Sequence, residues 1–442
     1  MRLCEEDERL NGMQGRLSVK KFFLILIIAA IVIPSIVLSL QQKQQSGWYD
    51  NLIFKNENFS FQLARTLGYA YSGGADIGEV LKTAKAIKPE NIDAWYMQWL
   101  KTANRIYRFA ETSQRAGHIV SAREAYFRAS NYYRTAGFYM ESKDRFNKSI
   151  SSWKLSRKSF LKAIASLPYI KVINIPYEKT LLPGYFIKSP EKNAPLLIVH
   201  TGYDGTAEEL YFEVGVAAHQ RGYNILLFEG PGQGGVLRIQ KLPFRADWEK
   251  VVTPVIDFAL TLPGVNKNKI ALLGISFGGY LAPRACAFDH RISACIANGG
   301  IYSVVESFYK RIPPKVIPMI SAEPEAFNKT IYEIMQKDPQ AQFFFNHGMR
   351  AFGAKSPADF MLKLKQYNLK DVAKNIKCPT LILDSESDAF LKGEAKKLYD
   401  VLNAPKTYYL FTKRQAAQAH IQVGAIAISN EIIFNWLDGV FK

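Results

Sequence analysis

Three residues far apart in the chain, Ser276, Asp388 and His420, have the types needed for a nucleophile, an acid and a base. Ser276 sits in Gly274-Ile275-Ser276-Phe277-Gly278, behind the apolar run Ile270–Leu273 and ahead of a helix-like stretch to Phe288. A serine on a sharp turn between strand and helix exposes its hydroxyl, and small neighbours let other backbone pass close by. The free N–H groups at the start of the following helix would face a developing oxyanion. The amide of Phe277 is one expected donor. The amide of Tyr203, in Gly202-Tyr203-Asp204-Gly205, is the other, unless that segment is only a tight loop. A histidine base needs an acid to fix its tautomer and stabilise the imidazolium. Asp388 has the expected position, with Asp384 and Glu386 as structural hydrogen-bonders or substitutes. His420 lies after the last apolar strand and before the last helix. Glu306 is a further candidate, either an auxiliary acid–base group or a partner for a nearby Lys or Arg.

These residues need a scaffold that gathers distant segments at one rim. Short apolar runs recur at Pro195–Thr201, Tyr223–Phe228, Ile270–Gly274, Ile292–Ala297, Pro379–Asp384 and Thr407–Phe411. Helical stretches separate most of them, which predicts an α/β fold with a doubly wound, largely parallel sheet. Catalytic groups in such sheets collect past the carboxyl ends of strands. Lys171–Pro176 and Lys179–Lys188 read as a strand pair with a turn at Pro183-Gly184. Residues 301–375 read as a helical insertion, within a catalytic domain spanning 169–442. Residues 47–168 read as an all-helical domain: aromatic and apolar positions recur at helical spacing through Ile92–Tyr107, Ala122–Ala136 and Ser152–Ile164. Its stretch 101–162 carries fourteen Lys or Arg against four Asp or Glu, either a basic surface for anionic headgroups or simply solvated helix faces.

Residues 1–46 read as a tail carrying the uncharged run Phe22–Leu40, which is long enough to span a bilayer. Arg16, Lys20 and Lys21 precede it, the signature of a signal anchor with its amino end in the cytoplasm. The expectation is a single-pass protein with its catalytic domain on the non-cytoplasmic side, or a secreted or periplasmic one if the segment is cleaved. The net charge of +18 would suit anionic lipid or acidic partners. No nucleic-acid motif accompanies it, so no nucleic-acid partner is expected. The four cysteines lack metal-like spacing, no metal cluster appears, and no cofactor is called for. Gly230-Pro231-Gly232-Gln233-Gly234 lacks the Lys-Ser/Thr of a phosphate loop and reads as a turn.

The segments GYDGTAEE (202–209), FEGPGQG (228–234), FRADWEKVVTPVIDF (244–258), GISFGGYLAPRACAFDHRI (274–292) and AHIQVGA (419–425) resemble a group of α/β hydrolases. That group contains the fermentation–respiration switch-like proteins, fungal pigment polyketide-shortening hydrolases and bacterial pseudooxynicotine hydrolases. The resemblance covers roughly residues 91–441. It implies a hydrolase core under a helical lid, with Ser276, Asp388 and His420 as the triad, in the order such hydrolases use. Glu229 and Thr201 depart from the Asp and Gly common in the group, and the Phe22–Leu40 run is foreign to it.

The leading functional reading is a serine hydrolase acting on an ester or carbon–carbon bond of a moderately sized apolar or aromatic carbonyl substrate. The rival is a non-catalytic, membrane-associated binding or regulatory protein on a hydrolase scaffold. Either leaves a homodimer open.

Overall fold

The computed structural model describes residues 47–442, apart from 51, 89 and 311. Its centre is one eight-stranded mixed sheet in the order β1-β2-β4-β3-β5-β6-β7-β8. The strands are β1 (Ile170–Tyr177), β2 (Thr180–Ile187), β3 (Ala194–His200), β4 (Asn224–Phe228), β5 (Val265–Ile275), β6 (Ala294–Asn298), β7 (Thr380–Ser385) and β8 (Lys406–Phe411). β1 and β2 form an antiparallel hairpin whose second strand pairs antiparallel with β4, and all remaining pairs are parallel. The central strands are apolar because helices cover both faces: every residue of β4 and β6 is buried. Each fully buried Leu, Ile or Val there contributes about 1.5–3 kcal/mol relative to exposure.

The hairpin turn lies elsewhere than the sequence suggests. It falls at Glu178, in the left-handed region at φ 45°, between strands paired through Tyr177 and Thr180. Pro183 and Gly184 lie inside β2, where a Cβ on Gly184 would meet the Leu227 carbonyl oxygen at 2.4 Å. The glycine serves strand packing, not reversal.

Among the described residues five α-helices precede the sheet: α1 (Glu57–Gly68), α2 (Ile77–Lys85), α3 (Ile92–Arg115), α4 (Ile119–Gly137) and α5 (Phe146–Ile164). Asn56 and Asn91 begin α1 and α3 by accepting the Phe59 and Ala94 amides at 3.0 and 2.8 Å. Aromatics hold the group together. Phe59 meets Trp95 edge-on at 5.0 Å, and Trp95 donates its indole N–H to the Thr135 carbonyl. The helices dock on the core through aromatics and charge, with Phe127 stacked on Tyr211 and Arg134 paired to Glu209. Between β6 and β7 the described residues form five α-helices, Val304–Tyr309, Met319–Ala322, Pro324–Met335, Pro339–Ala351 and Pro357–Leu364.

The membrane assignment is corrected. No helix among the described residues is long and apolar enough to cross a membrane. α3 has the length, but it carries Lys101, Arg105, Arg108 and Glu111 opposite its buried apolar face. The Phe22–Leu40 run itself lies outside the described residues. Single-pass anchoring, and with it export and a non-cytoplasmic catalytic domain, therefore has no helix to rest on among the described residues.

Candidate active site

Ser276 follows the last residue of β5 and precedes the helix Gly278–Cys286. Its φ of 60° is left-handed, a conformation that costs a serine on the order of 1–3 kcal/mol unless the surroundings enforce it. They do. A Cβ on Gly274 would strike the Gly278 carbonyl oxygen at 2.0 Å, and one on Gly279 the Gly299 oxygen at 2.0 Å. The Ser276 amide donates to Asn298 on the neighbouring strand at 2.8 Å, pinning the turn to β6.

The raised hydroxyl lies 2.9 Å from His420 Nε2, and His420 Nδ1 lies 2.7 Å from Asp388 Oδ2. The chain thus brings together residues 144 and 32 positions apart. His420 sits on a contorted loop, with Ile421 and Gln422 at positive φ. Gln422 secures that loop by donating to Ser385 and accepting from Ser429. The imidazole packs edge-on against Phe390 at 4.9 Å, with Phe61 of α1 beyond at 6.4 Å. Asp388 also accepts the Phe390 and Leu391 amides at 2.7 and 2.8 Å. Burial pushes its pKa up, but His420 and those two N–H groups outweigh burial and hold it below the usual carboxylate value. The alternatives are used elsewhere: Asp384 accepts the Tyr408 hydroxyl, and Glu386 accepts the Lys413 amide.

The loop after β3 lies against the serine turn so closely that a Cβ on Gly202 would sit 2.6 Å from the Phe277 nitrogen. Among the described residues the amides of Phe277 and Tyr203 donate to no protein group. The Tyr203 loop is held from three sides. Gln233 donates to the Thr201 carbonyl at 2.6 Å, His347 Nε2 donates to the Tyr203 carbonyl at 2.8 Å, and Arg65 bonds Asp204 at 2.9 Å. Gln233 belongs to the segment read as a turn after β4, and it braces this loop.

Ser276, His420, Asp388 and Tyr203 line a cavity of about 470 Å³. Ten phenylalanines from α1, the end of α4, the insertion and the core line it, among them Phe61, Phe138, Phe344 and Phe360. Glu306 is not brought in. Its helix lines the cavity with Val304, Ser307 and Phe308, while Glu306 lies half-exposed and pairs with Lys397 at 2.5 Å.

Sequence reading missed the charged groups that tie the amino-terminal helices to the residues around this cavity. Glu141, between α4 and α5, is enclosed by His347, Arg238 and Arg350 at 3.2, 3.2 and 2.7 Å. Burial works against its charge, but these three partners hold its pKa at about 2. Arg65 bonds both Asp204 and Glu209. The available signal was the spacing of Asn58, Phe61, Gln62 and Arg65, which puts three polar residues on one face of α1 with a phenylalanine.

A family model described as the C-terminal region of the BAAT and acyl-CoA thioester hydrolases matches residues 253–399. The chain is 32% identical over 410 residues to the 20-hydroxy-prefusarin hydrolase of Gibberella moniliformis, spanning 88% of this chain and 98% of that one. It is 33% identical over 421 residues to the alpha/beta hydrolase psoB of Aspergillus fumigatus, spanning 88% and 94%. The chain belongs to the α/β hydrolases. A solved 2,6-dihydroxy-pseudo-oxynicotine hydrolase shares the fold of this hydrolase, with a TM-score of 0.63 at 21% identity over 85% of this chain and 95% of that one. The protein is thus an enzyme, and the reading as a non-catalytic scaffold is set aside.

Proposed function

We propose that this hydrolase cleaves an ester or carbon–carbon bond of a moderately sized apolar or aromatic carbonyl compound through an acyl-enzyme. The observation that carries the reading is the continuous hydrogen-bonded line from Ser276 through His420 to Asp388 at the wall of a phenylalanine-rich cavity. His420 takes the proton from Ser276 as its oxygen bonds to the substrate carbonyl carbon. The Phe277 and Tyr203 amides receive the resulting oxyanion, and Asp388 stabilises the imidazolium. Collapse breaks the bond to the leaving group, which takes the proton from His420. That group is an alkoxide from an ester, or an enolate from a 1,3-diketone. Water, deprotonated by His420, then releases the acid and restores Ser276.

In this reading residues 47–168 are a lid domain over a catalytic domain at 169–442. The supporting observation is that α1 contributes Asn58, Phe61, Gln62 and Arg65 to the cavity wall.

The test is turnover of acyl esters and 1,3-diketones by wild type and by Ser276→Ala. A cooperative triad predicts a loss of about 10⁶ in turnover. Equal rates in the two proteins would refute the reading. Gly202→Ala should cost about 10²–10³ in kcat by displacing the Phe277 amide, the range seen when one oxyanion donor is lost.

A further inference from the structure

The cavity wall holds polar groups that the proposed acyl transfer does not use. Arg65 and Asp204 are accounted for, since they bond each other and Arg65 also grips Glu209. Asn58, Gln62 and Glu213 are not, nor is the buried hydroxyl of Ser387, which adjoins Asp388 in the chain. Gln62 is 3% exposed, lines the cavity, and its Oε1 is buried with no hydrogen-bond partner. Asn58, one helical turn earlier on the same face of α1, accepts the Tyr139 hydroxyl, and none of the hydrogen bonds among the described residues uses its Nδ2. Glu213 keeps accessible surface although it is deeply enclosed, because that surface faces the cavity. Its main-chain carbonyl accepts from Asn430, whereas its carboxyl makes no hydrogen bond to the described residues.

A buried polar group without a partner costs free energy that a pure phenylalanine wall would avoid. Among the three residues Gln62 Oε1 is the atom fully buried without a partner, and a ligand group that donates to it removes that cost. The complement is constrained by charge. Arg65 and Arg134 act on Glu213 with one sign, and Glu209 and Asp204 with the other. A cationic ligand group would meet the two guanidinium groups, and an anionic one the three carboxyls. A hydroxyl avoids both conflicts. It donates to Gln62 Oε1 or the Glu213 carboxyl and accepts from an amide N–H of Asn58 or Gln62.

We propose that Asn58, Gln62 and Glu213 form a polar subsite that receives an alcohol or phenol hydroxyl on an otherwise apolar substrate. Phe61 stands on the same helix face and packs towards His420, so the subsite and the reacting groups share one stretch of wall. Holding the hydroxyl there fixes how deep the substrate sits and presents its carbonyl to Ser276. This proposal rests on the acyl-transfer reading and supplies its substrate class.

The test uses matched pairs of aryl or alkyl esters, and of 1,3-diketones, that differ only by a hydroxyl at the end remote from the scissile bond. The readout is the ratio of kcat/KM for the hydroxylated member to that for its deoxy partner. In wild type the ratio should be about 10–100, the scale of an unmade hydrogen bond in a buried site. In Gln62→Leu and in Glu213→Leu it should fall towards one. Being internal to each protein, the ratio is insensitive to how much of a variant is folded. A wild-type ratio near one would overturn the subsite, as would a ratio that neither substitution changes. Cleavage of no pair member by protein whose Ser276 still reacts with a fluorophosphonate would also overturn it, leaving acyl transfer intact. Failure of Ser276 to react would instead remove the reading on which the subsite rests.

Discussion

Asp388 and Glu213 are two enclosed carboxyls on the wall of one cavity, and their surroundings drive them in opposite directions. Asp388 accepts His420 and two backbone amides, and its pKa lies below the ordinary value. Glu213 accepts none of these, and burial pushes it from 4.5 up to about 7, with Glu209 and Asp204 adding to the rise against Arg65 and Arg134. Depth alone therefore does not decide the charge of a buried acid. Directed N–H groups do, because they stabilise the ionised form where water cannot. The first carboxyl is built to stay charged beside a histidine. The second has its pKa raised, and its carboxyl makes no hydrogen bond among the described residues where it faces the cavity.

The sharpest way to break this contrast is Asp388→Asn, which keeps the shape but removes the charge and reverses the tautomer that His420 must adopt. Turnover should fall by about 10⁴, the scale known when a triad acid becomes an amide. Retained turnover would mean that the acid merely shapes the loop.

A smaller effect, of different sign, is expected from Glu213→Gln. A carboxyl whose pKa is raised on folding contributes stability that is complete below about 4.5 and lost as pH rises through about 7. Glutamine does not titrate, so the variant should gain on wild type between pH 5 and pH 8, by up to about 3 kcal/mol. Thermal melts at the two pH values check this. A gain that does not change with pH would show that Glu213 is ionised like an ordinary glutamate. Asp388 should behave in the opposite sense: its contribution is present above the ordinary aspartate pKa and lost as pH falls below it.

The smallest effect is reserved for a third carboxyl. Glu306 is half-exposed and paired with Lys397, so Glu306→Gln should leave kcat/KM within about twofold and stability within about 0.5 kcal/mol. A loss of tenfold or more would place this residue in the chemistry.

What the sequence disclosed follows from how local each signal is. The serine turn was legible because its glycines stand within five residues of Ser276, and an apolar strand precedes it. That Asp388 and His420 would be brought to Ser276 was legible because each follows an apolar strand in a fixed order. The ion pairs joining the amino-terminal helices to the rest were not legible. Arg65 meets Asp204 across 139 residues and Glu141 meets Arg350 across 209, and both ends look like ordinary charged helix or loop positions. Pro183-Gly184 misled because the pair usually marks a reversal, whereas here it passes through a strand beside a close carbonyl.

The central claim is that Ser276 is the nucleophile activated by His420. Stoichiometric reaction with a fluorophosphonate, followed by peptide mapping, tests it most directly. One adduct per chain on Ser276, slowed by orders of magnitude in His420→Ala and absent in Ser276→Ala, is the result expected. Folded wild-type protein that takes no label, or takes it on another residue, would contradict the account.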